Sequence, residues 1–266
     1  MIFGDNRQAG FTLIELMVSM LIALVALGAG GTLYLSSSQS NRLLQMQNRL
    51  TEDGRFAIQM LQRMAAQAGY RDNPGEARGL GNPHFAATSS SSFTVGFKAD
   101  GSSMIGCAGA LANSGNQSIV ISLNGACLQC RSSGSAATCP APTNNNNTVD
   151  WVGPFAANGG MGSEVVDFQV LYGIDEGPNP TLQEVSCGGG VRDCVADRYV
   201  ASLPSGVSVD QVVALQICLV LRSENTEASL SNKPAVTNCA GALIANSATD
   251  QRLYRTFRTT ALLRNF

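Results

Sequence analysis

The sequence predicts an α+β protein: one long N-terminal α-helix, membrane-spanning in its first half and amphipathic in its second, packed on an antiparallel β-sheet head. Three patterns carry this expectation. Residues 11–35 are almost uniformly apolar, with Glu15 as their only charge. No proline interrupts Phe11 to Ala68, and apolar residues recur there at helical spacing beyond residue 35. The rest of the chain carries period-two alternation separated by turn-forming residues.

The apolar run comes first. About 20 such residues suffice to cross a bilayer as one helix, so residues 11–35 are long enough. Past them, Leu43, Leu50, Ala57 and Met64 recur every seven residues, joined by Leu44, Ile58, Ala65, Leu61 and Ala68. These form one stripe, with Arg42, Arg49 and Arg63 nearly opposite. Gly69 is placed to cap the helix. At 1.5 Å per residue the helix would be roughly 85 Å long. Gly28, Gly30 and Gly31 weaken it, each by about 1 kcal/mol relative to Ala. Two readings stand for them: close packing of helices through small residues, or a segment able to unwind.

In the head, Val166, Phe168, Val170 and Tyr172 form one predicted strand face, alternating with Val165, Asp167, Gln169 and Leu171. Val213, Leu215, Ile217, Leu219 and Leu221 form a second face. Phe257, Thr259, Ala261 and Leu263 form a third. Shorter candidates are Phe93–Phe97 and Ser118–Leu123. Alternation of this kind marks antiparallel strands with one face toward a core, here the helix stripe. Thr88–Ser92, Arg131–Thr143 and Asn144–Asn147 read as surface loops.

The start of the chain holds its most specific motif: Gly10, then Phe11-Thr12-Leu13-Ile14-Glu15. A carboxylate inside a spanning helix costs about 2.5–3.5 kcal/mol even on lenient scales, so Glu15 is expected to have a use. The bland alternative is a signal anchor whose Glu15 reaches back to the interface. A secretory signal peptide would have a shorter apolar region with small residues at its far end. The motif resembles the class III signal of type IV pilins and of type II secretion pseudopilins. The leader departs from that pattern: with Arg7 and Asp5 it has no basic excess. Further on, Arg55-Phe56-Ala57-Ile58 through Ala68-Gly69-Tyr70 resembles the helix end of W-type minor pilins, the PilW family. So do Asp167–Asp175, Val212–Ser223, and the tail from Tyr254 to Thr260 with Leu263-Arg264-Asn265.

The resemblance implies a type IV pilin-like fold divided as leader 1–10, transmembrane helix 11–35, amphipathic helix 36–69 and disulfide-containing head 70–266. It implies cleavage by prepilin peptidase between Gly10 and Phe11, N-methylation of Phe11, and pairing of Glu15 with the amino terminus of a neighbouring subunit. A charge-assisted pair of that kind in a dry helix bundle acts as a register device. The implied partners are other minor pilins, the major pilin, the peptidase and the inner membrane. The head would be periplasmic first and then displayed on the pilus. The implied function is a structural subunit that primes type IV pilus assembly at or near the tip and supports twitching motility. The alternatives are a J-type pseudopilin of type II secretion and a surface adhesive module.

Eight cysteines lie beyond the apolar run: Cys107, Cys127, Cys130, Cys139, Cys187, Cys194, Cys218 and Cys239. An even number in an exported domain reads as disulfides. The expected pairs are Cys187–Cys194 across a Gly-rich loop and Cys218–Cys239 at a strand edge, with the other four pairing among themselves. Zinc on Cys127, Cys130 and Cys139 is the rival, but the only histidine, His84, is remote in sequence. The Cys127-x-x-Cys130 pair is placed in a Gly/Ser-rich loop and not at a redox-type strand-to-helix start. Calcium on Asp175, Glu176, Asp193 and Asp197 is not expected, because the acids are scattered. No metal or cofactor is expected. A net charge of −2 with 14% charged residues and no basic cluster leaves no nucleic-acid footprint. Nucleophile-elbow and phosphate-loop motifs are missing, so an enzyme is not expected. His84 reads as a surface residue and Trp151 as a core or loop anchor.

Overall fold

A computed structural model describes residues 12–71, 85–132, 138–139, 148–154, 162–177 and 193–263. A single α-helix, α1, runs from Leu13 to Gln67 over 55 residues. Nine strands follow: β1 Phe85–Ser89, β2 Ser92–Ala99, β3 Gly115–Asn124, β4 Cys127–Arg131, β5 Thr148–Val152, β6 Ser163–Ile174, β7 Arg198–Val200, β8 Val212–Ser223 and β9 Tyr254–Leu262. The fold class is therefore a long N-terminal helix with antiparallel sheets.

The chain divides into two units at Gln45/Met46. The first contains the apolar part of α1, which is long and apolar enough to cross a membrane and has its side chains exposed. It passes helically through Gly28, Gly30 and Gly31. In the second unit α1 buries Met46, Leu50, Gly54, Ala57, Met60, Leu61, Met64 and Ala65. The predicted stripe is thus displaced in part. Leu44 is exposed and Ile58 only half-buried, while Met46, Gly54 and Met60 take buried positions. Gly69 ends the helix with φ of +73°, a conformation glycine adopts without Cβ strain. Its N–H donates to the Gly96 carbonyl at 2.9 Å, and Lys98 N–H donates to the Tyr70 carbonyl, which ties the helix exit to β2.

The head contains two sheets. Strand order is β1-β2-β3-β4-β5 in one and β7-β6-β8-β9 in the other. Every pairing is antiparallel. The helix stripe, Phe85, Phe93, Val95, Ile119 and Ile121 of the first sheet, and Phe168, Val170, Leu215, Ile217 and Leu219 of the second form one core. Fully burying side chains of this size removes about 1.5–3 kcal/mol each of unfavourable hydration.

Tyr172 joins the sheets. Its ring is buried edge-on to Phe85, and its hydroxyl proton is shared between the Ser89 and Ser92 carbonyls at 2.7 and 3.0 Å. Burial pushes its pKa well above the usual phenol value, so it stays a donor. The serine-rich turn predicted as a free loop is thereby pinned, and Ser90 also accepts from Val170 N–H.

Two strand predictions change. In β6 the register shifts between Val165 and Asp167, so Val166 is the extra residue of a bulge. Val165, not Val166, then shares the buried face with Phe168, Val170 and Tyr172. Strands β1, β4, β5 and β7 were not predicted. Notably β4 carries Cys127 and Cys130, which therefore sit on a strand and not in a loop.

Candidate functional site

The site suggested by sequence lies at the start of α1. Gly10, Phe11 and the leader are outside the described residues. Thr12 and Glu15 are the first functional residues in view. The Glu15 Oε2 accepts from Thr12 N–H at 3.0 Å and from Thr12 Oγ1 at 2.9 Å, while Glu15 N–H donates back to Thr12 Oγ1 at 3.4 Å. This is the reciprocal arrangement of a capping box, in which a Thr and a Glu three residues on satisfy helix-start amides. The carboxylate is exposed and has no other hydrogen-bond partner among the described residues. It is thus oriented at the end of the helix by Thr12, a residue that sequence reasoning did not single out. The Thr-x-x-Glu spacing was the available signal.

The cysteines are cross-links. Cys107 bonds Cys130, Cys127 bonds Cys139, and Cys218 bonds Cys239, the last a pair named from sequence. The first two pairings fall among the four cysteines left unassigned, and they occupy all three thiols of the zinc alternative. Cys194 is also disulfide-bonded. Cys187 lies outside the described residues, as does His84. Trp151 is buried on β5, and its Nε1 donates to the Cys107 carbonyl at 2.8 Å. The loop before β3 is thus held at Cys107 by both a disulfide and an indole.

The acids considered for calcium turn the chain instead. Buried Asp175 accepts from Gly177 N–H at 3.2 Å and Cys194 N–H at 3.0 Å. Asp197 accepts from Glu176 N–H at 2.7 Å, and Asp193 from Val195 N–H at 2.9 Å. Glu176 pairs with Arg198. Among the described residues no three His, Cys, Asp or Glu converge as metal ligands.

A second polar cluster, missed from sequence, fastens the long connection between β8 and β9. Glu164 accepts from both Arg222 and Arg252, the latter at 2.8 Å. Asp250 accepts from Lys233 Nζ at 2.8 Å, Arg252 N–H at 3.1 Å and the Tyr254 hydroxyl at 2.6 Å. Lys233 also donates to the Arg252 carbonyl and lies 4.8 Å from the Tyr254 ring centroid. The same connection carries Cys239, so it is fixed covalently to β8 through Cys218 and ionically to β6 through Arg252 and Glu164. These charges satisfy one another, and their arrangement is that of a structural fastening.

Two family models match the chain. Residues 134–265 match the family described as Type IV Pilus-assembly protein W, PilW. Over those residues, just under half of its length, the chain is similar to the PilW family. Residues 5–31 match the prokaryotic N-terminal methylation motif, which brackets Gly10, Phe11 and Glu15. The PilW match contains β6 to β9, both residues of the Cys218–Cys239 bridge and the Glu164–Arg222–Arg252 cluster. A solved structure, a type IV-like pilin from Thermus thermophilus, is similar over 82% of this chain and 97% of its own, at 16% identity and a TM-score of 0.41. No curated protein matches the chain. A PilW-like segment behind a methylation motif points to a structural protein.

Proposed function

We propose that this chain is a minor pilin that enters a type IV pilus at or near its tip and primes its assembly. The observation that carries the reading is the joining, in one chain, of the methylation motif over residues 5–31 to a PilW head over residues 134–265. Prepilin peptidase removes residues 1–10 and methylates Phe11. The apolar part of α1 anchors the subunit in the inner membrane, with the head in the periplasm. There the oxidising environment suits the cross-linked head. On assembly the same apolar surface leaves lipid for the helices of other minor pilins and the major pilin. Glu15, held at the helix start by Thr12, exchanges its local capping partners for the methylated amino terminus of a neighbour. An ammonium–carboxylate hydrogen bond in a dry bundle is about twice as strong as a neutral one, which favours the exchange. The pilus so primed supports twitching motility.

The test is the terminus. Membrane protein from a strain with active peptidase is expected to begin at N-methylated Phe11 by mass spectrometry, and Gly10→Val to retain all ten leader residues. A mature wild-type chain beginning at Met1 refutes the reading.

A further inference from the structure

Sheet edges are rows of unpaired backbone groups, and folded proteins usually shorten, bulge or charge them to prevent pairing. Three of the four edges among the described strands follow that rule. Strand β1 has 5 residues and a register shift between Ala87 and Ser89. Strand β5 has 5 residues, with an irregularity where it meets β4. Strand β7 has 3 residues. Strand β9 is neither short nor bulged: it has 9 residues, no proline, a register with β8 that runs from Arg222↔Tyr254 to Ala214↔Leu262 without a shift, and Arg258 as the one charge among its outward residues.

The direction of its backbone groups follows from the pairs at either end. Leu263 N–H donates to the Val213 carbonyl at 2.9 Å, and Ser223 N–H to the Leu253 carbonyl at 2.8 Å. Both pairs lie in the same register as β9, so residues 255, 257, 259 and 261 bond β8. The amides and carbonyls of Tyr254, Thr256, Arg258, Thr260 and Leu262 point the other way, and none of them has a backbone partner among the described residues.

Side chains divide in the same manner. Arg255 donates to Thr51, Gln62 donates to Thr259, and Phe257 lies on Gly54, so the odd residues face α1. Thr256, Arg258, Thr260 and Leu262 are exposed, Leu262 by 56%. Arg258 has no ion pair or hydrogen-bond partner among the described residues, and no carboxylate lies on β9 to meet it.

We infer that β9 is a strand-addition site: it takes an extended segment of another protein chain, with a carboxylate facing Arg258, as a fifth strand of the second sheet. Main-chain hydrogen bonds at alternate residues supply the attachment, and the guanidinium selects an acidic residue opposite it. A second copy of β9 fits less well, since it brings another Arg258 and no acid.

The test uses the full-length protein in detergent micelles and a capped heptapeptide of alternating Thr and Val with one central Glu. The comparison peptide has Lys in place of Glu. Saturating Glu peptide is expected to slow hydrogen exchange at the amides of Thr256, Arg258, Thr260 and Leu262, leaving those of Phe257 and Thr259 as slow as before. The Glu peptide should bind about two- to fivefold tighter than the Lys peptide, the range for one cross-strand charge pair. Arg258→Glu should reverse that order. Thr260→Pro, which removes an outward N–H and no bond to β8, should abolish protection while Trp151 fluorescence stays native. Protection of the outward amides without peptide, accompanied by dimerisation in sedimentation, would assign the edge to a second copy and overturn the proposal. Equal binding of both peptides, or none with wild-type protein, overturns it as well.

Discussion

A Cβ added at Gly54 would lie 2.1 Å from Phe257 Cζ and 2.2 Å from Cε2. Ordinary carbon–carbon contact is about 3.5–4.0 Å, so Gly54→Ala forces the ring back by about 1.5 Å. Overpacking of this kind costs about 1–3 kcal/mol. Against it, Ala in a helix interior is about 0.8–1.0 kcal/mol better than Gly. The expected net effect is a loss of about 0–2 kcal/mol, too broad to be decisive alone. The decisive quantity is the coupling. In a Phe257→Ala background the ring is gone, and Gly54→Ala should then stabilise by about 1 kcal/mol from helix propensity. The double-mutant cycle therefore predicts a coupling of about 1–3 kcal/mol. Urea unfolding of the full chain in micelles, followed by the fluorescence of Trp151, the chain's single tryptophan, gives all four corners. Additivity within about 0.5 kcal/mol would show that β9 does not rest on α1 at Gly54.

Glu15→Ala should leave membrane insertion unchanged and deplete the subunit from sheared pili; wild-type amounts there would make Glu15 a tolerated passenger. Alkylation of the unreduced, denatured protein should label none of its cysteines, since the described ones are all in disulfides. The bridges Cys107–Cys130, Cys127–Cys139 and Cys218–Cys239 span 23, 12 and 21 residues. Loops of that size imply about 3 kcal/mol per bridge, so reduction should make the head protease-sensitive, and unchanged resistance would refute that estimate. Burial alone would raise the pKa of Asp250, but hydrogen bonds from Lys233, Tyr254 and Arg252 outweigh it and hold it below the usual carboxylate value. A depressed folded pKa contributes stability above the unfolded value of about 3.9 that is lost as pH falls through the folded one. Asp250→Asn should therefore lower the Tm at pH 6 and lower it by less at pH 3; equal losses at both would show that the ionised carboxylate is not what fastens the connection.

The helix was legible because period and composition agree for more than 50 residues, and nothing in the head competes with them. Strands β6 and β9 were legible because more and less buried positions alternate along them, and β8 because it is a run of apolar residues from Val212 to Leu221 broken only by Gln216. The phase of Val166 was not: a bulge changes which face a residue takes, and alternation on either side of it looks the same. Strands β4 and β5 were hidden for a different reason. Leu128, Gln129, Cys130 and Cys127 are all buried, so β4 shows no alternation to read. Gln129 is polar there because its amide donates to the Thr138 carbonyl and its carbonyl oxygen accepts from Asn124, partners that no local pattern reveals. Of the candidate functional residues, Glu15 announces itself as a charge in an apolar run, whereas Thr12 is one hydroxyl among many. Gly54 carries no chemical signal at all; it is a glycine because Phe257, some 200 residues away in sequence, needs the space.

Both bridges in the first sheet share β4, and their placement has a physical reason. The segments they hold, around Cys107 before β3 and around Cys139 after β4, are rich in Gly, Ser and Asn and offer few apolar side chains. Burial cannot offset the roughly 1–2 kcal/mol of backbone entropy lost for each residue so ordered. A covalent tie acts instead on the unfolded chain and needs no apolar surface. Cys127 and Cys130 are three residues apart on an extended strand, which puts them on opposite faces of the sheet. The two ties therefore leave β4 from opposite faces. The Trp151 hydrogen bond to the Cys107 carbonyl then fixes one covering loop at a single further point. If that division of labour holds, Cys107→Ser paired with Cys130→Ser should loosen the loop before β3 to proteases and leave the segment around Cys139 protected, while Cys127→Ser with Cys139→Ser should do the reverse. Loss of protection at both places from either pair of substitutions would mean that the two covers fold as one unit, and that the separation of faces on β4 has no energetic consequence.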